Sequence, residues 1–249
     1  MNILWKKNSL TTLTLPFKNK AGRNNTGKIT SYHRGGFQKQ HLRLVDFNRH
    51  LWNVFGLVNR IEYDPKRNAL LAMVVYSNGI ICYILSPAGL KVGDKIITRE
   101  QNSLVTGNST YMWSIPIGIH IHNLEFSTGN GGQIARTAGS YAVIVSKTAE
   151  TCLVRLKSRQ LRILPSSSLA TIGNVSNFQF IYRNFGKAGY YRRKGWRPHV
   201  RGVAMNPIDH PHGGGQGKTS GGRPSVTPYG KITKGQPTVR TKRKKLHAF

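Results

Sequence analysis

The sequence predicts a mainly β protein with two small barrels in its centre and strongly basic segments at both ends. Short runs rich in apolar, β-branched and aromatic residues recur along residues 41–185, and turn signals separate them. Helical periodicity is weak, with a turn or two expected only at 166–171 or 184–188. Lys and Arg are concentrated outside this central region. These observations favour small antiparallel barrels over helical or α/β folds.

The first barrel is predicted over residues 41–104. Asn78-Gly79, between two strand-like runs, is a dipeptide that suits a two-residue hairpin turn. A further turn and strand over 89–96 would close the barrel. The preceding runs, predicted as strands, are 57–63, 69–76 and 80–85.

The second barrel is predicted over residues 105–185. Apolar residues alternate with other residues over 115–126, as expected of one half-buried strand, and a glycine-rich turn follows at 127–132. Three later runs read as a meander with short connections: 141–146, 151–156 and 160–164.

The distribution of charge indicates a polyanionic partner. The chain has 38 Lys and Arg against 8 Asp and Glu, a formal net charge of +30. Residues 1–45 hold nine bases and no acid, whereas residues 46–186 hold fourteen bases and seven acids. From Lys187 onward there are fifteen bases and one acid, Asp209. Such a chain would repel itself strongly when free, and nucleic acid offers the densest neutralising charge.

The last segment, 186–249, is predicted to be an irregular basic extension. It holds twelve of the 27 glycines and six of the 11 prolines, and no long aliphatic run. It therefore buries too little apolar surface to offset backbone entropy, about 1–2 kcal/mol per residue. We expect it to take its shape on nucleic acid. Residues 1–40 are predicted as a basic N-terminal arm, of which 1–21 reads either as a weak organelle-import sequence or as part of that arm.

The two cysteines, Cys82 and Cys152, are isolated in apolar runs and are expected to be buried, reduced thiols. The longest apolar stretch, 69–85, is broken by Ser77-Asn78-Gly79, so a transmembrane span is not expected. The sequence thus indicates a reducing compartment and no membrane partner.

Three motifs suggest rival chemistry. His120 and His122 would share a strand face and, with Glu125, suggest a metal site; no further ligand of suitable spacing follows. Asp209-His210 suggests acid–base catalysis, but the segment has no nucleophile elbow. The turn 129–132 resembles a phosphate cradle without the Walker pattern, so nucleotide hydrolysis is unsupported. A metal- or His-dependent hydrolase with a nucleic-acid-binding tail remains the rival hypothesis, and a free nucleic-acid chaperone is the third.

Nucleic-acid contact explains more of these residues. Cations interleaved with aromatic rings in the extension pair phosphate donors with stacking surfaces, and glycines let the backbone approach closely. The predicted RNA-binding residues are Arg23, Lys28, His33, Arg34, Lys39, Arg43, Lys66, Arg67, Arg136, Lys187, Tyr190, Arg192, Arg193, Lys194, Trp196, Arg197, Arg201, Asn206, His210, His212, Lys218, Arg223, Lys231, Lys234, Arg240, Lys242, Arg243 and Lys244.

Several motifs resemble one protein family. The chain is similar, in one register, to the second protein of the large ribosomal subunit. The motifs that carry this resemblance are Gly22-Arg23-Asn24-Asn25 with His33-Arg34-Gly35-Gly36, the segment 60–67, His122-Asn123 with 129–136 and Ala138-Gly139, and above all 201–217. Asp209-His210-Pro211-His212 is similar to the bacterial and organellar branch, although Gln216 stands where bacterial members usually have Glu. The resemblance covers about residues 22–234.

The resemblance implies an OB-fold barrel, an SH3-like barrel and an extension that penetrates the large-subunit rRNA near the peptidyl-transferase centre. It implies roles in subunit association, tRNA placement and peptidyl transfer, with Asp209 and His210 close to that centre and no catalytic or metal-binding residue. Expected partners are the rRNA, other ribosomal proteins and the small subunit; no cofactor is expected beyond magnesium associated with rRNA. A reduced, divergent chain of this type suggests a mitochondrial ribosome, with a plastid or bacterial cytoplasm as the alternative.

Overall fold

The computed structural model describes residues 4–217, 219 and 222–236, which form two compact units. The barrel unit contains residues up to 18 together with 39–184. The arm–extension unit contains residues 19–38 and the described residues from 185 onward. The residues predicted as one basic arm, 1–40, are therefore divided between the two units.

The first half of the barrel unit is a curled, five-stranded sheet. Its strands follow the order β1-β4-β5-β6, with β7 also paired to β4, and β2 pairs separately with β3. The pairing of β1 with β4 is parallel, and the others are antiparallel. The strands are β1 (Leu4–Trp5), β2 (Thr14–Pro16), β3 (His41–Arg43), β4 (Gly56–Glu62), β5 (Leu71–Tyr76), β6 (Ile81–Leu85) and β7 (Lys95–Ile96).

The second half is a six-stranded antiparallel sheet in the order β14-β13-β12-β9-β15-β8, with β10 and β11 as a separate pair. The strands are β8 (Ser109–Tyr111), β9 (His120–His122), β10 (Leu124–Glu125), β11 (Gly132–Ile134), β12 (Ala142–Lys147), β13 (Thr151–Leu156), β14 (Leu161–Pro165) and β15 (Leu169–Ile172).

Helical structure is sparse, as predicted. The one α-helix of the described residues is α1 (Ala188–Arg193), which begins where a turn had been expected to end. Four short 3₁₀ helices complete the elements: Thr11–Leu13, Met112–Ser114, Phe178–Tyr182 and Gly202–Ala204. No helix in this part of the chain has the length and apolar character needed to cross a membrane.

Two element predictions were wrong. Residues 115–126 do not form one strand, because Gly118 (φ +90°) and Asn123 (φ +52°) adopt left-handed conformations that interrupt the extended backbone. A helical turn was expected within 166–171, but Leu169–Ile172 form strand β15, which hydrogen-bonds both β8 and β9. Pairing with a strand on each of its edges, rather than local propensity, decides its conformation.

Each half of the barrel unit has its own apolar core. Ile61, Val74 and Ile84 are among the buried residues of the first, whereas Ile121 and Ile144 are among those of the second. The alternation of inward and outward side chains expected of small barrels produces these cores. Both cysteines are free; Cys152 is buried and Cys82 half-buried, and burial raises the pKa of each thiol.

Candidate nucleic-acid interface

The glycine-rich turn after β10 is organised by a buried carboxylate. Glu125 is 2% exposed, and its two oxygens accept hydrogen bonds from three backbone amides: Gly129 at 3.3 Å, Gly131 at 3.0 Å and Leu169 at 3.1 Å. These amides are thus not available to an external phosphate. The resemblance of 129–132 to a phosphate cradle was misleading, because the acid that uses its amides lies within the same chain.

This turn fixes the position of Phe47, which belongs to the first half of the barrel unit. The Phe47 carbonyl accepts hydrogen bonds from Gly132 N at 3.0 Å and Asn123 Nδ2 at 3.1 Å. A Cβ at Gly131 would collide with the Asn48 side chain, so only glycine, here at φ +71°, permits the approach. The two barrels are joined here by backbone and amide contacts.

A basic groove, which we define by Phe47, Lys66, Arg67, Arg136 and Lys157, lies beside this junction. It encloses about 660 Å³. The Phe47 ring centroid lies 4.4 Å from the Arg136 guanidinium carbon and 5.2 Å from that of Arg67. Three residues that the sequence predicts as RNA contacts, at 66, 67 and 136, are therefore brought together from separate segments.

The positive charge of the basic groove is only partly neutralised. Asp64 pairs with Arg67 at 2.7 Å, whereas Arg136 and Lys157 donate to the carbonyls of Gly132 at 3.0 Å and Gly139 at 2.7 Å. Partial burial, and secondarily the charge of Arg67, lower the pKa of Arg136. An anion in this groove would relieve that repulsion, which makes a phosphate a suitable ligand.

In the arm–extension unit, the arm is hydrogen-bonded to the extension. Gly35 N donates to Gly195 O at 3.0 Å, Gln38 N to Arg193 O at 3.1 Å, and Arg197 N to His33 O at 3.0 Å. These backbone bonds hold the predicted cations of 23–34 in the same unit as those that follow α1. This pairing could not be predicted from local sequence patterns, because its partners are about 160 residues apart and no local motif joins them.

The aromatic side chains of this unit are partly engaged. The Arg34 guanidinium carbon lies 3.5 Å from the Trp196 ring centroid. Phe185 stacks on Tyr190 at 3.9 Å between centroids, and Lys194 Nζ lies 4.9 Å from the Tyr190 ring. Tyr191 is 53% exposed and Trp196 46% exposed. Stacking surfaces and cations are thus interleaved, as an RNA-binding segment requires.

His210 is a buried support of the loop 205–217. It is 8% exposed, and its Nδ1 accepts a hydrogen bond from His212 N at 3.0 Å. A Cβ at Gly202 would lie 2.5 Å from the His210 ring, so the ring packs directly on glycine backbone. An unprotonated Nδ1 already held by an amide is poorly placed to act as a base.

Further hydrogen bonds stabilise the loop 205–217 and connect it to a later residue of the chain. His212 Nε2 accepts a hydrogen bond from Val226 N at 2.9 Å, and Gly214 N donates to Met205 O at 3.1 Å. Asp209 N and His210 N both donate to the Asn206 carbonyl. The predicted residues Asn206, Asp209, His210 and His212 are therefore brought together in one hydrogen-bonded loop.

The other predicted contacts are mostly exposed cations with no carboxylate partner among the described residues. Lys39 and Arg43 belong to the barrel unit, whereas 23–34 belong to the arm–extension unit. The remaining predicted cations of the arm–extension unit, all exposed, are Arg23, Lys28, Lys187, Arg192, Arg193, Arg197, Arg201, Arg223, Lys231 and Lys234. Lys218, Arg240, Lys242, Arg243 and Lys244 lie outside the described residues.

The pair His120 and His122 does not form the suggested metal site. His120 is exposed and stacks on Tyr141, with 4.4 Å between centroids. His122 is fully buried, its Nδ1 lies 2.7 Å from Gly173 O, and burial lowers its pKa to about 4. No group of three His, Cys, Asp or Glu side chains suited to a metal lies together in the described part of the chain.

Two small barrels carrying a basic groove, with a cationic unit almost free of acids, define a structural RNA-binding protein. Comparison with known proteins agrees. A model of the family "Ribosomal Proteins L2, RNA binding N-terminal domain" matches residues 10–98, and one of "Ribosomal Proteins L2, C-terminal domain" matches residues 105–230. The chain belongs to the ribosomal protein L2 family. The expected mainly β fold, with an OB-fold barrel followed by an SH3-like barrel, is confirmed.

Full-length relatives are similar over nearly the whole chain. The Large ribosomal subunit protein uL2m of Reclinomonas americana is 51% identical over 244 residues, 98% of this chain and 88% of the relative. The Large ribosomal subunit protein uL2 of Rickettsia peacockii is 50% identical over 240 residues, 96% of this chain and 88% of the relative. That of Rickettsia typhi is 49% identical over the same shares.

Proposed function

We propose that this chain is a structural protein of the large ribosomal subunit that binds the subunit's rRNA during translation. One observation carries the proposal: residues 19–38 and 185–248 hold nineteen Lys and Arg against one acid, and the described ion pairs all lie in the barrel unit. Charge at this density requires a polyanion. The family is a structural one, and the chain is not an enzyme.

Each unit contributes a different part of the binding. The basic groove of the barrel unit holds a phosphate between Arg67 and Arg136. In the arm–extension unit, exposed cations neutralise further phosphates, and Tyr191 and Trp196 offer ring faces to unpaired bases. Glycine-rich backbone permits close approach to RNA. Other ribosomal proteins are the remaining partners within the subunit.

The loop 205–217 supports the finer part of the proposal. With Asp209 at its surface and His210 beneath, it would support the peptidyl-transferase region without chemistry of its own. Subunit association across the intersubunit face and tRNA placement belong to the same proposal. Because a uL2m is among the relatives, at about the same identity as a bacterial uL2, we propose a mitochondrial ribosome, with a plastid or bacterial one as the alternative.

A triple substitution tests the role of the arm–extension unit. We expect R192Q/R193Q/R197Q to weaken binding of the full chain to large-subunit rRNA and to reduce the slope of log affinity against log salt by about 2–3. The backbone hydrogen bonds of residues 193 and 197 to the arm are retained, so the fold is not the target. The matched control is K91Q/K95Q/R155Q, three exposed cations of the barrel unit that are not predicted contacts. Equal slopes for the two variants, measured by filter binding, would contradict the proposal.

A second substitution tests His210. We expect H210A to reduce incorporation into large subunits, because the variant leaves the His212 amide unpaired and opens a cavity against Gly202. Particles that do incorporate it should still catalyse peptidyl transfer, since RNA performs the chemistry. The control is I208A, whose side chain is 93% exposed. The contrary result is normal incorporation with complete loss of peptidyl transfer.

A further inference from the structure

A row of aromatic side chains lies on the barrel unit apart from the basic groove. Trp52 and Tyr111 have ring centroids 5.3 Å apart, and Tyr111 and Trp113 have centroids 6.4 Å apart with nearly parallel planes. Trp113 is 42% exposed and the nearby Phe55 52% exposed. We call Trp52, Phe55, Tyr111 and Trp113 the aromatic row.

The aromatic row opens into a shallow cavity of about 630 Å³. Its floor is provided by Trp52 and Tyr111, and its remaining lining is polar: Asn53, Arg99, Glu100 and Gln101. The Arg99 guanidinium carbon lies 5.5 Å from the Phe55 ring centroid, at one end of the row. The cavity thus combines flat aromatic faces with hydrogen-bonding groups.

Backbone contacts hold the row in place. Trp113 N donates to Ser166 O at 3.1 Å, and Lys147 Nζ donates to Trp113 O at 2.9 Å. Thr110 Oγ1 donates to Glu100 O at 2.6 Å, which fixes the cavity rim against β8. A surface built in this way loses little side-chain freedom when a partner docks on it.

The charge of the cavity distinguishes it from the RNA-contacting surfaces. Its lining holds one base, Arg99, and one acid, Glu100, in a chain that has 38 bases and 8 acids. Within the described residues the exposed Glu100 carboxylate forms no hydrogen bond or ion pair. Most other acids are engaged: Asp46, Glu62, Asp64, Asp94 and Glu125 all accept hydrogen bonds. A free carboxylate beside an aromatic floor repels a phosphate backbone and attracts a cation.

We propose that the aromatic row and Glu100 form a docking site for a Lys or Arg side chain of a neighbouring protein. The cation would lie on the faces of Trp52 and Tyr111, where cation–π attraction acts, and pair with the Glu100 carboxylate. Asn53 and Gln101 would form hydrogen bonds with the backbone of the neighbouring protein, next to the docked side chain. Trp, Tyr and Arg are the residues that dominate protein–protein contacts, and charge balance favours protein over RNA here.

Photo-crosslinking in assembled particles tests this site. The exposed cavity-lining residue Gln101 is replaced by p-benzoylphenylalanine in the full chain, which leaves the aromatic row intact. Irradiation of purified large subunits should give an adduct with one ribosomal protein. E100K should lower the adduct yield about fivefold or more, whereas E150K, at another exposed acid, should leave it unchanged. Both changes lie at exposed positions, so loss of folding does not explain a difference.

Results that would overturn the docking site can be distinguished from results that would overturn the proposed function. An adduct with rRNA, no adduct, or an adduct whose yield is the same with E100K overturns the docking site. In a separate preparation of large subunits, p-benzoylphenylalanine replaces Tyr191 and tests whether this position contacts rRNA. One possible result is an rRNA adduct at position 191 without a protein adduct at position 101. This result would contradict the docking site but would agree with the proposed function.

Discussion

Binding of the full chain to large-subunit rRNA is expected to weaken on the order of a thousandfold or more as monovalent salt rises from about 50 to about 200 mM. Each phosphate neutralised by Lys or Arg releases a counterion, and about six to ten such contacts suffice for a loss of this size. Residues 19–38 and 185–248 together carry nineteen candidate cations. Filter binding at a series of salt concentrations gives the slope directly.

The control for this titration is the variant R192Q/R193Q/R197Q, which should give a shallower line through the same salt range. Competition with a non-ribosomal RNA at each salt concentration separates specific from non-specific binding. An affinity that changes by less than about threefold over the range would mean that charge neutralisation is not the basis of binding.

Substitution of Glu125 by Gln should destabilise the barrel unit by about 2–4 kcal/mol. The carboxylate accepts three backbone hydrogen bonds at a position that is 2% exposed. The amide of Gln keeps the volume but places a donor against donors and removes the charge that strengthens these bonds. Urea denaturation of the full chain, followed by far-ultraviolet circular dichroism, measures the free energy of unfolding.

The matched control for this substitution is E150Q at an exposed acid, which should change the free energy of unfolding by less than about 0.5 kcal/mol. Because Glu125 holds the turn that docks on Phe47, E125Q should also disturb the basic groove and weaken rRNA binding. A variant as stable as the parent chain would show that the three amides find other acceptors.

Local signals made much of the architecture predictable. The strands β4, β5 and β6 coincide, within two residues at either end, with runs of β-branched and aromatic side chains. The segregation of charge is a property of composition, so the sequence alone indicated a polyanionic partner. Residues 66, 67 and 136 were predicted as RNA contacts from separate segments; the fold places Arg67 and Arg136 beside the Phe47 ring, and Lys66 lines the same groove.

Long-range contacts left no such signal. Strands β8 and β15 were missed because their conformation is decided by neighbouring strands in the sheet. The hydrogen bonds between the arm and the extension join backbone atoms, which any sequence can supply. The role of Glu125 was hidden for another reason: an acid next to a glycine turn is compatible with a metal ligand, a solvated side chain or a cap for that turn.

The bonding of residues 19–38 to the chain beyond residue 185 has a consequence for biosynthesis. Translation proceeds at about 5–20 residues per second, so the first of these segments is synthesised roughly 8–30 s before its partner. During that interval the amides of Gly35 and Gln38 lack the carbonyls they later meet. Nascent chains of this protein are therefore exposed to capture by stray cellular polyanions, and a chaperone that shields the early segment would raise the yield of usable protein.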